Sequence, residues 1–213
     1  MASAAANEPE ARRRRDAAAT RRAILAAAAH RFACQGYERA GVRQIAADAG
    51  VTAALVNRYF GSKEGLFAQV IEEAFDLRPL IAGGRAGLAE RLARRMVHGR
   101  EDDPPAGSPR LPLLLLLRSA TEPRAAALIR EGLDRNNLRA LAETLGGPDA
   151  PLRAAMVLAQ LTGFAILDQM LRPAPLAAAG REELVALLAA SFDACIEAAP
   201  RPAPPFDAAA PVQ

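Results

Sequence analysis

The stretch that decides the fold is IAADAGVTAALVNRYFGSKEGLF, residues 45–67. Two short apolar-patterned segments flank Gly50, an aromatic pair follows, and the chain restarts at Gly61-Ser62. With Val42 as the first position, Ile45, Ala49, Val51, Val56 and Tyr59 fall where two crossed helices bury a shared core. Ala46 falls where the helices approach too closely for a larger side chain. Gly50 falls in the turn, where a positive φ is needed and glycine meets no steric penalty. The pattern predicts one helix over about 42–49, with Gly41 as N-cap, and a second over about 53–60, with Thr52 as N-cap. Burying that face leaves Ala53, Ala54, Asn57 and Arg58 pointing outwards. A helix presented in this way fits the major groove of a duplex, its N-terminal half nearest the base edges.

Working outward, residues 17–35 have helical spacing, with Ile24, Leu25, Ala28 and Phe32 on one face and Gly36 as a stop. After the central stretch, Ser62 caps a fourth helix carrying Leu66, Phe67, Val70, Ile71, Ala74 and Phe75. Pro79 and Gly83-Gly84 mark its end. Further helices are predicted over about 85–99, 111–120, 123–145, 150–171 and 181–199, and no strand alternation appears. The expected fold is all-α. Residues 1–16 read as a disordered basic arm, 17–80 as a helix-turn-helix domain, 81–199 as a helical body, and the Pro/Ala-rich 200–213 as a disordered tail.

Composition agrees with helices: of 213 residues, 51% are apolar but only 4% aromatic, with no Trp, so alanine and leucine supply the core. Cys34 and Cys195 are too few and too far apart for a disulfide framework. The first residues show no secretory pattern, and the longest apolar run, LLLLL at 113–117, is too short for a bilayer; a cytoplasmic protein without membrane contact is expected. Residues 1–65 hold 11 basic and 6 acidic side chains, the rest 16 and 18. That split suggests a basic head that meets a polyanion; the alternative is a basic disordered tail, since Arg12 to Arg15 account for most of the excess.

Enzyme signatures are missing. No G-x-S-x-G, phosphate-binding loop or paired-carboxylate motif occurs, and the acidic run at 101–103 reads as a solvated loop. His30 and Cys34 have metal-like spacing, but no second pair joins them. No catalytic residue, metal or cofactor is expected.

The combined pattern ILAAAAHRF, GY at 36–37, IAADAGV, Phe60 and SKEGLF resembles the tetracycline-repressor (TetR) family of transcriptional regulators, over about residues 20–75. The resemblance implies a three-helix DNA-binding head and a C-terminal regulatory body. It also implies binding to a palindromic operator on double-stranded DNA as a homodimer, with release by a small-molecule effector of unknown identity. Lys63, the chain's only lysine against 26 arginines, lies in a first helical turn, where the dipole disfavours a cation. It resembles the family's backbone-clamping position, where free N–H groups and the ammonium converge on a phosphate. Thr52, Ala53, Ala54, Asn57, Arg58 and Tyr59 complete the expected DNA face with Arg43, which reaches guanine or phosphate. Family members commonly carry Gly at position 54 and Tyr at position 57. Ala54 still allows close approach, and its methyl suits thymine. Asn57 suits a phosphate or an adenine edge. Tyr59 either offers its hydroxyl to phosphate or packs inward. Gly41 stands where a capping Thr often bonds phosphate.

In the body, Ala155, Ala159 and Gly163 repeat every four residues, and Leu184, Leu187, Leu188 and Ser191 form a neighbouring stripe. The expected homodimer pairs helices near 150–171 and 181–199 with their symmetry mates. Arg118, Gln160, Asp168 and Gln169 are the polar residues among apolar helices that would orient an effector if buried. The competing expectation is an architectural DNA-binding protein with no small-molecule response.

Overall fold

The structure, a computed structural model, describes residues 8–99 and 110–198. Among these residues every regular element is helical: α1 (Glu8–Arg39), α2 (Val42–Asp48), α3 (Ala53–Phe60), α4 (Lys63–Ala74), α5 (Arg78–Ile81), α6 (Leu88–His98), α7 (Leu111–Ser119), α8 (Pro123–Leu133), α9 (Arg139–Leu145), α10 (Ala150–Ile166), α11 (Ala174–Ala178) and α12 (Arg181–Ile196). Single π-helical turns, Asp134–Leu138 and Leu167–Leu171, join α8 to α9 and extend α10. The helix expected over 123–145 is therefore continuous but widened at its middle. The acidic 101–103 and the tail 200–213 lie outside the described residues.

Two compact units form, and they do not follow chain order. The first holds α1 to α4 together with residues 111–132, and the second holds, among the described residues, 76–99, 110 and 133–198. The expected body at 81–199 thus gives up α7 and most of α8, which pack into the same unit as α1 to α4. The LLLLL run explains this: Leu113 and Leu115 of α7 are buried, and α7 lies along α1.

In the first unit, Ile24, Ala28 and Phe32 of α1, Ile45 of α2, Val56 of α3 and Leu66, Phe67 and Ile71 of α4 make the core. The few aromatics concentrate here. Phe67 meets Phe32 edge-on at 4.9 Å between centroids and Tyr37 at 4.8 Å. Gly36, at φ 78°, breaks α1 where the stop was expected. At its other end α1 begins at Glu8 rather than near residue 17, so residues 8–16 of the arm expected to be disordered are helical, and residues 1–7 lie outside the described residues. Large apolar residues are indeed sparse there, but EPEARRRRDAAAT is built largely of strong helix formers that extend a helix already nucleated on the core.

The second unit buries Leu88, Leu92, Leu141, Ala154, Val157, Phe192 and Ile196. Pro79, expected to end a helix, instead sits in the first turn of the short α5, where a missing N–H is harmless. Arg153 is the buried charge of this unit. Its guanidinium bonds Asp149 at 3.1 Å, the Ile196 carbonyl at 3.1 Å and the Gly146 carbonyl, capping the ends of α12 and α9.

Candidate nucleic-acid interface

The turn between α2 and α3 closes by backbone bonds. The Gly50 N–H donates to the Ala47 carbonyl at 3.1 Å and the Val51 N–H to that of Ala46 at 2.9 Å. Gly50 sits at φ 66°, and a Cβ added there would meet nothing within 4 Å, so conformation, not space, requires the glycine. Ile45, Ala46 and Val56 are buried, while Ala49, Val51 and Tyr59 are half-buried. The Thr52 hydroxyl oxygen accepts the Leu55 N–H at 3.3 Å, as a cap should. On the outer side of α3, Ala54, Asn57 and Arg58 are exposed. Ala53 is not: it is half-buried, because the first turn of so short a helix still leans on its neighbour. The Tyr59 ring tilts against Phe60 at 6.1 Å.

Arg43 is exposed in the first turn of α2. Gly41 is the N-cap and offers no side-chain bond; its backbone is extended, φ −93°. Among the described residues neither Arg43 nor Arg58 has an ion-pair partner. Two guanidiniums without ion-pair partners, the exposed Asn57 amide and the exposed Thr52 hydroxyl thus stand on α2 and α3 as a donor set suited to base edges and phosphates.

The start of α4 is fixed to the end of α3. Ser62 accepts the Gly65 N–H at 3.2 Å, and a Cβ at Gly65 would overlap the Phe60 carbonyl oxygen. Lys63 is thereby held against the last turn of α1. Its ammonium donates to the Glu38 carbonyl at 2.9 Å and stands 4.6 Å from the Tyr37 ring centroid, a cation–π contact that compensates the unfavourable dipole. Burial, and then the neighbouring Glu64 carboxylate, push the Tyr37 hydroxyl up to about 12. Glu64 itself is held below the usual carboxylate range, first by its own backbone N–H and then by Ser62. Arg124, at the start of α8, pairs with Glu64 at 2.7 Å. Sequence reasoning missed Glu38, Glu64 and Arg124 here. The GY pair pointed to Tyr37, but nothing in the local pattern announces an arginine about sixty residues on.

Arg31 grips Asp48 with two nitrogens, the second bond at 2.7 Å, and so ties the end of α2 to α1. That bond lowers the Asp48 carboxyl and raises Arg31. His30 and Cys34 are exposed, 3.7 Å apart, in an open cleft of about 640 Å³ with this pair. Among the described residues no three His, Cys, Asp or Glu side chains gather as a metal site. Of the four polar candidates in the later helices, Gln169 is buried, and its amide oxygen accepts the Arg110 N–H at 2.9 Å. Gln160 is half-buried and accepts the Ser191 hydroxyl at 2.8 Å. Arg118 is exposed and donates to the Cys34 carbonyl at 2.9 Å. Asp168 is half-buried.

Two family models match the chain: bacterial regulatory proteins of the tetR family over residues 24–70, and the tetracyclin repressor-like C-terminal domain over residues 86–196. Among solved structures, a TetR-family regulator from Streptomyces coelicolor A3 is 29% identical, with a TM-score of 0.56, over 85% of this chain and 96% of that one. Salmonella enterica GusR is 18% identical with a TM-score of 0.58, over 84% and 96%. NalD of Pseudomonas aeruginosa, the secondary repressor of the MexAB-OprM multidrug efflux pump, is 21% identical with a TM-score of 0.56, over 79% and 94%. No curated protein matches the chain.

Proposed function

The chain belongs to the tetR family of bacterial regulatory proteins, and from that premise we propose that it is a repressor that holds a palindromic operator as a homodimer and lets go when a small molecule fills its body. It is a DNA-binding transcriptional regulator, not an enzyme. The observation that carries the finer reading is the face of α3: exposed Ala54, Asn57 and Arg58, flanked by Arg43, with no ion-pair partner for either arginine among the described residues. Arg58 and Asn57 read base edges. Arg43, Thr52 and the N-terminus of α4 with Lys63 meet phosphates, which position the helix without specifying sequence. Ala53 and Tyr59 support α3 from beneath.

The homodimer reading rests on the second unit. Residues 150–171 form a helix long and apolar enough, by length and composition, to cross a bilayer, a third of it buried. Its outer side exposes Leu152, Met156, Leu167 and Met170, with Ala155, Ala159 and Gly163 exposed between them. On α12 the exposed large apolar residue is Leu187; Leu188, expected in the same stripe, is buried in its own protomer. Covering this face with its symmetry mate is the reading that fits a cytoplasmic regulator. The first unit, α1 to α4 with residues 111–132, then serves as the DNA head in place of the expected 17–80, and the helices of the second unit serve dimerisation and effector binding. Selection of bound sites from random duplex DNA tests the proposal. An enriched palindrome supports it, and a pool with no enriched site contradicts it.

A further inference from the structure

The first turn of α4 opposes itself. Its first residue, Lys63, is a cation placed to meet a phosphate, and its second, Glu64, is an anion. The Glu64 carboxyl is held below the usual carboxylate range, first by its own backbone N–H and then by Ser62, so it is charged at neutral pH. That N–H is one of the free donors a phosphate takes at a helix N-terminus. Glu64 therefore competes for the very site that Lys63 serves. Arg124, also in the first unit, holds the carboxylate from the far side, at 2.7 Å. Its own place is fixed: the Glu122 carboxylate accepts the Arg124 N–H at 3.0 Å and the Ala125 N–H at 2.6 Å, capping α8. The end of α7 is docked on α1 in the same way. Arg118 donates to the Cys34 carbonyl at 2.9 Å, and a Cβ at Gly36 would stand 2.7 Å from the Arg118 carbonyl oxygen. Gly36 precedes Tyr37 and Glu38, the two residues that hold the Lys63 ammonium.

We propose that Arg124 is a positioning residue for DNA binding that acts through Glu64: it draws the carboxylate to α8, so that Lys63 and the free N–H groups of α4 are left open to a backbone phosphate. Without Arg124 the carboxylate is free to turn back over the first turn of α4, where it occupies donors and repels the phosphate. The Arg124 side chain is 67% exposed, so no core depends on it. Phosphate contacts position without specifying sequence, and the effect therefore falls on every duplex alike. The inference rests on the reading of the start of α4 as a phosphate contact.

The test measures binding of the full chain to the selected operator and to an unrelated duplex, with Arg124→Ala made in the parent and in a Glu64→Gln background. In the parent, Arg124→Ala weakens binding to both duplexes by about two- to fivefold, the range for an exposed charge pair. Arg124→Lys, which can keep the pair, restores most of the loss. Glu64→Gln alone binds at least as tightly as the parent, and in that background most of the Arg124→Ala loss disappears, because no carboxylate is left to compete. No loss in the parent overturns the proposal. An equal loss in both backgrounds also overturns it, as the mark of an arginine that attracts the duplex itself. A loss on Glu64→Gln alone does the same, as the mark of a pair that merely braces two helices. Lys63→Ala separates the inference from the reading beneath it. If that variant binds every duplex as the parent does, the phosphate contact at α4 fails and the inference with it; if it weakens binding while Arg124→Ala does not, only the inference fails.

Discussion

At the scale of single residues, Lys63 is the position where the ordinary rule about helix dipoles fails, and the geometry explains why. Its ammonium is held by the Glu38 carbonyl and the Tyr37 ring, at the one end of α4 where free N–H groups also attract anions. Lys63→Ala should weaken binding to every duplex by a similar factor and make the salt slope shallower by about 0.9 per half-site. A change in which base pairs are preferred would show that Lys63 reads sequence instead. Gly65 is constrained by space rather than by conformation. Gly65→Ala drives a methyl into the Phe60 carbonyl and should destabilise the first unit by about 1–3 kcal/mol, an overpacking cost. Urea denaturation of the variant measures it, and an unchanged midpoint would mean that α4 can slide.

The elements show what local pattern can and cannot carry. The caps at Gly41, Thr52 and Ser62, the turn at Gly50 and the break at Gly36 are all legible, because each depends on one residue and its near neighbours. Arg31–Asp48, Lys63–Glu38 and Glu64–Arg124 are not, since they join residues far apart in sequence whose spacing encodes nothing. The start of α1 escapes the pattern for a related reason: scarcity of apolar residues argues against an isolated helix, not against the extension of an anchored one. Two predictions belong here. Gly41 has an extended backbone with its nearest neighbour, the Gln44 amide, 3.5 Å from a Cβ, so Gly41→Thr fits. It should stabilise α2 by a few tenths of a kcal/mol and tighten binding to all duplexes. Calorimetry and a salt titration follow both effects; a loss of stability would contradict the cap geometry. The Arg31 bond lowers the Asp48 carboxyl, so the unfolded chain takes up that proton at a higher pH than the native one. The contribution is present above the ordinary carboxylate value of ~3.9 and is lost as pH falls through the lowered one. Asp48→Asn should therefore flatten the acid limb of the stability curve, and an unchanged acid limb would remove this pair from the account.

For the whole molecule, the division into units is only half visible in the sequence. Pro79 and Gly83-Gly84 mark a break near residue 80, but the return of residues 111–132 to the first unit depends on which leucines find the α1 surface. The outer face of α10 is easier to anticipate, because small residues at four-residue spacing suit an approach by another helix. A Cβ at Gly163 would have nothing within 4 Å, so Gly163→Arg fits the isolated protomer and should disrupt only a partner. Sedimentation should show monomers with unchanged circular dichroism, and operator affinity should fall steeply. A variant that stays a tight dimer would place the interface elsewhere.

The central claim is that two copies of α3, one per half-site, read base edges through Asn57 and Arg58. A base-substitution scan of the selected operator with the parent protein, Asn57→Ala and Arg58→Ala tests it most directly. The account predicts that Arg58→Ala relaxes preference at one position in each half-site, related by the two-fold axis, with ~1–3 kcal/mol of discrimination lost for a bidentate contact. Asn57→Ala should relax a different symmetric pair or weaken all sites equally. Unchanged preferences in both variants would contradict it.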